Sequence, residues 1–469
     1  MFPQKLSSNS YDLETLERIV IRLEQNPANI LDELPIILHQ LRASKVPSGA
    51  SECHFTCQED MPKPARLATE AMVALCMGLE EEVFAIRPSC TRLLEAALQE
   101  LIQWFQWLNE SYIANSTESP GAELVVFRAL HQYHVAKILV NMVEWVIPSD
   151  RILTSPGLIS FLWQMWLDKP ALTKTNASFG DRGKELGLLD DFESDETDPY
   201  VVNGRDEPSI SRVLRCLVDR LQDQSWDFSV HQDALQTLRA DPTKVAHMAC
   251  RQAEVAAFGG AVPNTLKLHD ALTILIMLST CSGYRKSCRA RNALSTVLAI
   301  AEHLIRNAPQ LPSDESLALV LSRCMSYMVY VLKEGYHAVL EFVQDGGLSL
   351  IFKATFIMGL QPSHRHRQPL PDAAESYLTT FAYVIRAILP FLSFLPIFRH
   401  ARRTLIYVRS ARGEDLLLSK IPEAHEFTVY WNKLADRLEA IEKFRSSRGL
   451  VRLENEICNN FTGVRVMLC

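Results

Sequence analysis

The chain has 469 residues, 48% of them apolar and 22% charged, with a formal net charge of −7. Such a composition belongs to a folded chain, not a disordered one, and the acidic balance argues against a dedicated nucleic-acid binder. The length exceeds one ordinary core and predicts about two to four domains, or one extended repeat array.

The opening stretch, MFPQKLSSNSYDLETLERIV, has no apolar run and reaches acids quickly, so it does not read as a signal peptide. Leu13, Leu16, Val20 and Leu23 then recur at three- and four-residue steps, which places them on one helix face, and Pro27 ends that helix. Residues 44–62 are polar, aperiodic and read as a linker. From Thr91 to Leu108 the stripe is Leu94, Leu98, Leu101, Phe105 and Leu108, and Pro88 stands just before it, where a missing N–H costs least. Further on, SPGLISFLWQMW (155–166) and DGGLSLIFKATF (345–356) both place Gly-Leu at the opening of an apolar helix. A helix, a short glycine turn with φ > 0 and a second apolar helix resemble the junction inside armadillo repeats, and two unrelated glycine-capped helix starts fit equally well. No fixed period separates the two copies.

The clearest break is 169–207. Within it, 181–207 holds ten acids against Arg182, Lys184 and Arg205, which accounts for the chain's whole net charge of −7. Such a segment repels itself and stays solvated, so the boundary between two helical halves is placed there. LHDALTILIMLSTC (268–281) is apolar on every side and needs neighbours on several faces. Residues 361–374 form a Pro/His/Arg loop. The run VIRAILPFLSFLPIF (384–398) is too short to span a membrane and contains Arg386, Pro390 and Pro396, so it reads as a buried helical hairpin. Leu405–Val408 is β-friendly but isolated, and one strand makes no sheet. The last stripe joins Phe427, Tyr430, Trp431, Leu434, Leu438, Ile441 and Phe444, with Pro422 before it and Gly449 after. Fifteen to eighteen helices are expected in all.

The motifs of common catalytic centres are missing. There is no G-x-x-x-x-G-K-[ST] phosphate loop, no G-x-G-x-x-G after a strand, no G-x-S-x-G elbow and no protein-kinase signature set. His425-Glu426 opens like a zincin helix, but Val429 stands where the second histidine must face the metal. His131 and His134, three apart on a predicted helix, and the loop residues Cys53, His54 and Cys57 have ligand chemistry but no further ligand pair. Two basic clusters, Arg285/Lys286/Arg289/Arg291 and Arg399/Arg402/Arg403/Arg409/Arg412, lack an aromatic platform or a nucleic-acid module and read as solvated helix faces. Eleven cysteines, among them Cys76, Cys216, Cys250 and Cys324 inside apolar patterns, read as buried reduced thiols of an intracellular protein, cytoplasmic or nuclear. The sequons at Asn109, Asn115, Asn176 and Asn460 carry no meaning in that setting.

After EFTVYWNKLADRLEAIEKF comes LENEICNNFTGVRVMLC, opening with Glu456-Ile457-Cys458-Asn459-Asn460. This stretch resembles a large group of fungal proteins with a helical N-terminal region and a C-terminal MYND-type zinc finger. The resemblance implies that Cys458 is the first zinc ligand of such a finger. The pattern places the second cysteine at position 461, where this chain has Phe461, and the later Cys and His ligands do not follow. One cysteine cannot hold zinc, so no cofactor is expected unless the finger is completed, as it would be if Phe461–Cys469 came from a misread splice site.

The expectation is therefore an all-α chain, an irregular armadillo/HEAT-like helical superhelix (α-solenoid). It comprises an N-terminal helical half (1–168), an acidic linker (169–207), a C-terminal helical half (208–448) and a tail (449–469) that opens a zinc finger. Its expected role is a non-enzymatic protein–protein interaction scaffold, with protein partners and no membrane. The alternatives are a nucleic-acid-associated regulator, and a SET/MYND-type lysine methyltransferase relative, which needs a β-rich fold and an N-H-S-C-like motif that the sequence lacks.

Overall fold

The computed structural model describes residues 13–49, 60–79, 88–116, 122–146, 155–168, 209–221, 229–311, 314–359, 372–410, 413–419 and 421–447. Among the described residues there are nineteen α-helices and no strand. Leu405–Val408 lies inside a helix, because a β-friendly run without a pairing partner takes the local helical solution. No helix of the described residues is long and apolar enough to cross a membrane. The chain forms two compact units, 1–240 and 241–469.

The first unit contains α1 (Leu13–Gln25), α2 (Ile30–Gln40), α3 (Lys63–Gly78), α4 (Pro88–Ser116), α5 (Ala122–Asn141), α6 (Leu158–Leu167), α7 (Ile210–Leu221) and α8 (Ser229–Thr237). Helix α1 buries Leu16, Ile19 and Leu23 against α3, with Val20 at the margin of that face. It stops before Pro27, where the Asn26 side chain accepts the Ala28 N–H at 3.1 Å. All five apolar residues of the α4 stripe are buried, and α4 packs on α2, α5 and α6. A π-turn, Met142–Val146, closes α5.

The unit boundary falls past the acidic segment where the sequence placed it. Helices α7 and α8 pack on α5 and α6 and so belong to the first unit. The reason is visible in α6. Its two buried indoles donate outward, Trp163 Nε1 to His231 Nδ1 of α8 at 3.2 Å and Trp166 Nε1 to Ser211 Oγ of α7 at 3.1 Å. An apolar ten-residue helix with two large aromatics needs covers on more than one side, and those covers come from beyond residue 207.

The second unit contains α9 (Pro242–Phe258), α10 (Thr265–Thr280), α11 (Ser282–Ala290), α12 (Ala293–Arg306), α13 (Asp314–Leu332), α14 (Tyr336–Gln344), α15 (Gly347–Gly359), α16 (Asp372–Ile388), α17 (Leu395–Ser410), α18 (Gly413–Leu418) and α19 (Glu426–Ser447). The all-round apolar α10 is buried along nearly its whole length between α9, α11 and α13. Packing recurs every third helix. Helix α10 lies on α13, α13 on α16 and α16 on α19, while α9 lies on α12, α12 on α15 and α15 on α18, and α14 lies on α17.

Glycine makes one of these junctions possible. Gly346, between α14 and α15, has φ +85°, and a Cβ on Gly347 would lie 2.3 Å from the Phe342 ring. Gly157, at the head of α6, likewise has φ +76°. The run 384–398 makes a corner, not a packed hairpin. Helix α16 ends in a 3₁₀ turn holding Pro390, and α17 restarts with Pro396 in its first turn, so α16 packs on α13 and α19 while α17 packs on α14, α15 and α19.

Candidate interaction surfaces

His131 is buried between α4 and α5. Its Nε2 donates to the Phe105 carbonyl at 3.2 Å and its ring meets Tyr112 at 5.5 Å. Burial holds its pKa down at about 3, so the ring is neutral. His134 is likewise held down, to about 4, by burial. Among the described residues no group of three His, Cys, Asp or Glu side chains is placed to hold a metal. His425 accepts the Phe427 N–H at 3.1 Å and so caps α19. Cys53, His54, Cys57 and Cys458 lie outside the described residues.

Seven cysteines are described, and all are buried thiols, Cys76, Cys216, Cys250 and Cys324 among them. Burial pushes the Cys76 and Cys216 thiols up to about 12 and Cys250 to about 11, which leaves little nucleophilic thiolate at neutral pH. Asn109 is fully buried within α4, so that sequon is out of reach in the folded unit.

The two basic clusters are partly engaged inside the fold. Arg285 donates to the carbonyls of Ser279 and Thr280 and pairs with Glu334 at 3.5 Å. Arg402 pairs with Glu442 of α19, its Nε at 2.7 Å from Oε2. Arg409 bridges Glu414 at 2.8 Å and Glu439 at 2.6 Å, and the Trp431 indole donates to the other oxygen of Glu414 at 2.7 Å. Those arginines tie α17, α18 and α19 together. Lys286, Arg289, Arg291 and Arg403 remain exposed, and Arg412 lies outside the described residues.

No protein-family model and no curated protein matches this chain.

Two surface features of the second unit escaped the sequence reading. One is a groove of about 340 Å³ between α9 and α12, lined by Val255, Phe258, Gly259, Thr296, Ala299 and the ion pair Arg251–Glu254. Val255 and Phe258 are 52% and 45% exposed there, and the Phe258 ring meets His303 edge-on at 4.9 Å. The other is a set of cation–aromatic contacts on α13, α16 and α19. Lys333 lies 5.0 Å over the Tyr330 ring, and Lys433 and Arg386 lie 5.0 and 5.8 Å over the Tyr430 ring. A Tyr-x-x-Lys/Arg spacing at 330/333, 383/386 and 430/433 was the available signal. Tyr430 also belongs to the apolar stripe expected of α19. In the fold Phe427, Trp431, Leu434 and Leu438 are buried, whereas Tyr430 and Ile441 are half-buried and Phe444 is 53% exposed. At about 100° per residue the four buried positions fall within a narrow arc that leaves Phe444 well outside it.

Proposed function

We propose that the protein is a non-enzymatic scaffold for protein–protein interaction, working inside the cell, with its second unit an armadillo-like stack of three-helix layers. The supporting observation is the packing that recurs every third helix. In the layer α11–α12–α13 the helices have 9, 14 and 19 residues, and in α14–α15–α16 they have 9, 13 and 17. These two layers share a short–medium–long order, whereas α17–α18–α19, with 16, 6 and 22 residues, keeps only the long third helix. In such a stack each layer contacts only its neighbours, and the long helices form a continuous surface available to partners. Helices α16 and α19 provide the exposed part of that surface, beside α13, whose described side chains are buried or half-buried.

The proposal retains kinship with the fungal MYND-finger proteins. Zinc would belong only to a completed finger, since Cys458 with Phe461 after it does not make a four-ligand site. The transcript sequence beyond the codon for Asn460 tests that kinship. A Cys/His series supports it, and an uninterrupted stop after Cys469 removes it.

The scaffold reading is tested by affinity capture on the immobilised full chain followed by cross-linking mass spectrometry. The expected result is a reproducible set of protein partners cross-linked to residues of α16 and α19. Capture of no protein above background, or cross-links confined to the first unit, overturns it.

A further inference from the structure

We propose that the exposed face of α17 is the docking site of the chain's own residues 450–461, which follow α19 and cap the last layer of the second unit. This rests on the three-helix stack and not on the zinc-finger kinship.

Helix α17 is open along one whole side. It buries Ile397, Phe398, Ala401, Leu405 and Val408 against its neighbours. Opposite them stand Pro396, Arg399, Arg403, Ile406, Tyr407 and Ser410, all exposed and within an arc of about 100°. Ile406 is 52% and Tyr407 63% exposed, so two large apolar side chains adjoin on this face. The last layer of a stack has no further layer to cover it, and an apolar outer face there calls for a cap.

The recurrence of packing names the occupant. Helix α14 lies on α17, and the element three places after α17 is the one that follows α19. Residues 448–469 supply that element and lie outside the described residues. In their sequence Leu450, Leu453, Ile457 and Phe461 recur at three- and four-residue steps, an apolar stripe at helical spacing.

The path is short. Helices α17 and α19 run antiparallel, since Arg409 pairs with Glu439, Arg402 with Glu442, and Arg445 lies 5.5 Å over the Phe398 ring. The chain therefore leaves α19 beside the N-terminal end of α17. In the docked arrangement it turns at Gly449 and returns along α17 in parallel. At about 1.5 Å per residue, 450–461 and Arg399–Ser410 each span about 17 Å. With Leu450 level with Arg399, Glu454 comes level with Arg403 and Ile457 with Ile406. Glu454 flanks the apolar stripe, about 40° round from Leu450. Among the described residues Arg403 forms no ion pair, whereas Arg402 and Arg409 are held by Glu442, Glu414 and Glu439. Asp415 is exposed, but it opens α18 beside Arg409, about two turns along from Arg403.

The test is hydrogen exchange of the full chain, read by mass spectrometry. Amides of 450–461 are expected to exchange at least about tenfold more slowly than in a free peptide of the same sequence. I406E/Y407E, on an exposed face, is expected to bring them to the free-peptide rate, with circular dichroism checking that the helices remain. R403E is expected to weaken the protection, and R403E combined with Glu454→Arg to restore it. K286E/R291E, on and beside α11, is expected to change nothing. Free-peptide rates in the unaltered chain, or protection that survives I406E/Y407E, overturn the proposal. A chain that is dimeric by light scattering, becomes monomeric in I406E/Y407E and leaves 450–461 unprotected in both also overturns it, because a second copy then covers the face. Partners cross-linked to α16 and α19 while 450–461 stays unprotected would leave the scaffold reading standing and remove this inference alone.

Discussion

Three buried histidines, His131, His134 and His231, shape the acid response of the first unit. His231 accepts the Trp163 indole N–H on Nδ1, and His131 donates from Nε2 to the Phe105 carbonyl, but it is burial that holds both rings neutral. Burial lowers the pKa of His131 to about 3 and of His231 to about 4, below the ordinary 6.5. The unfolded chain then binds more protons than the folded one at mildly acid pH. Stability is therefore full above about pH 6.5 and falls as pH drops toward 4, by up to ~1.4 kcal/mol per pH unit for each histidine. Urea unfolding between pH 7.5 and 5 should show that decline, and His231→Gln, which keeps an acceptor for Trp163, should make it shallower while His131 and His134 sustain the rest. A pH-independent midpoint would contradict the assignment. In the second unit, Trp431→Phe removes the indole donor from the buried Glu414 carboxylate and should cost about 1–3 kcal/mol in thermal or urea unfolding. Periodicity marked Trp431 as core. It could not reveal that its N–H meets Glu414, seventeen residues earlier, because that contact depends on how α18 returns over α19.

Turns and arcs are the features that decide individual elements. Gly347→Ala should be more damaging than Gly346→Ala, although only Gly346 has positive φ. An added Cβ at 347 strikes the Phe342 ring, whereas the space around 346 is open. Overpacking predicts about 1–3 kcal/mol for Gly347→Ala, and backbone strain about 1 kcal/mol for Gly346→Ala. Unfolding midpoints of the two variants check the order. The glycine turns were legible because Gly-Leu before an apolar helix has few other uses. The α4 stripe was legible because its five leucine and phenylalanine positions keep one helical arc. The edge of α19 was not, since Tyr430 and Phe444 look like core residues until their angles round the helix are compared with those of Trp431 and Leu434.

At the scale of the molecule, the break in composition and the break in packing fall at different places. The acidic run 181–207 is conspicuous in sequence, yet α7 and α8 beyond it cover Trp166 and Trp163. Residues 1–240 expressed alone should fold as a helical, monodisperse species. Residues 1–168 should not, because two indoles that are now buried would face water. Circular dichroism and size-exclusion chromatography distinguish the outcomes. That the helices need neighbours on several sides was readable from α10, which is apolar on every side. The three-helix recurrence was not, because lengths and loops vary too much for a fixed period in residues. The proposed protein-binding surface lies on α16 and α19, beside the C-terminal end of α13. Hydrogen exchange of the full chain, with and without a captured protein partner, tests it most directly. Protection is expected in residues 326–333, 379–387 and 430–437, and protection confined to 13–240, or none, would contradict it.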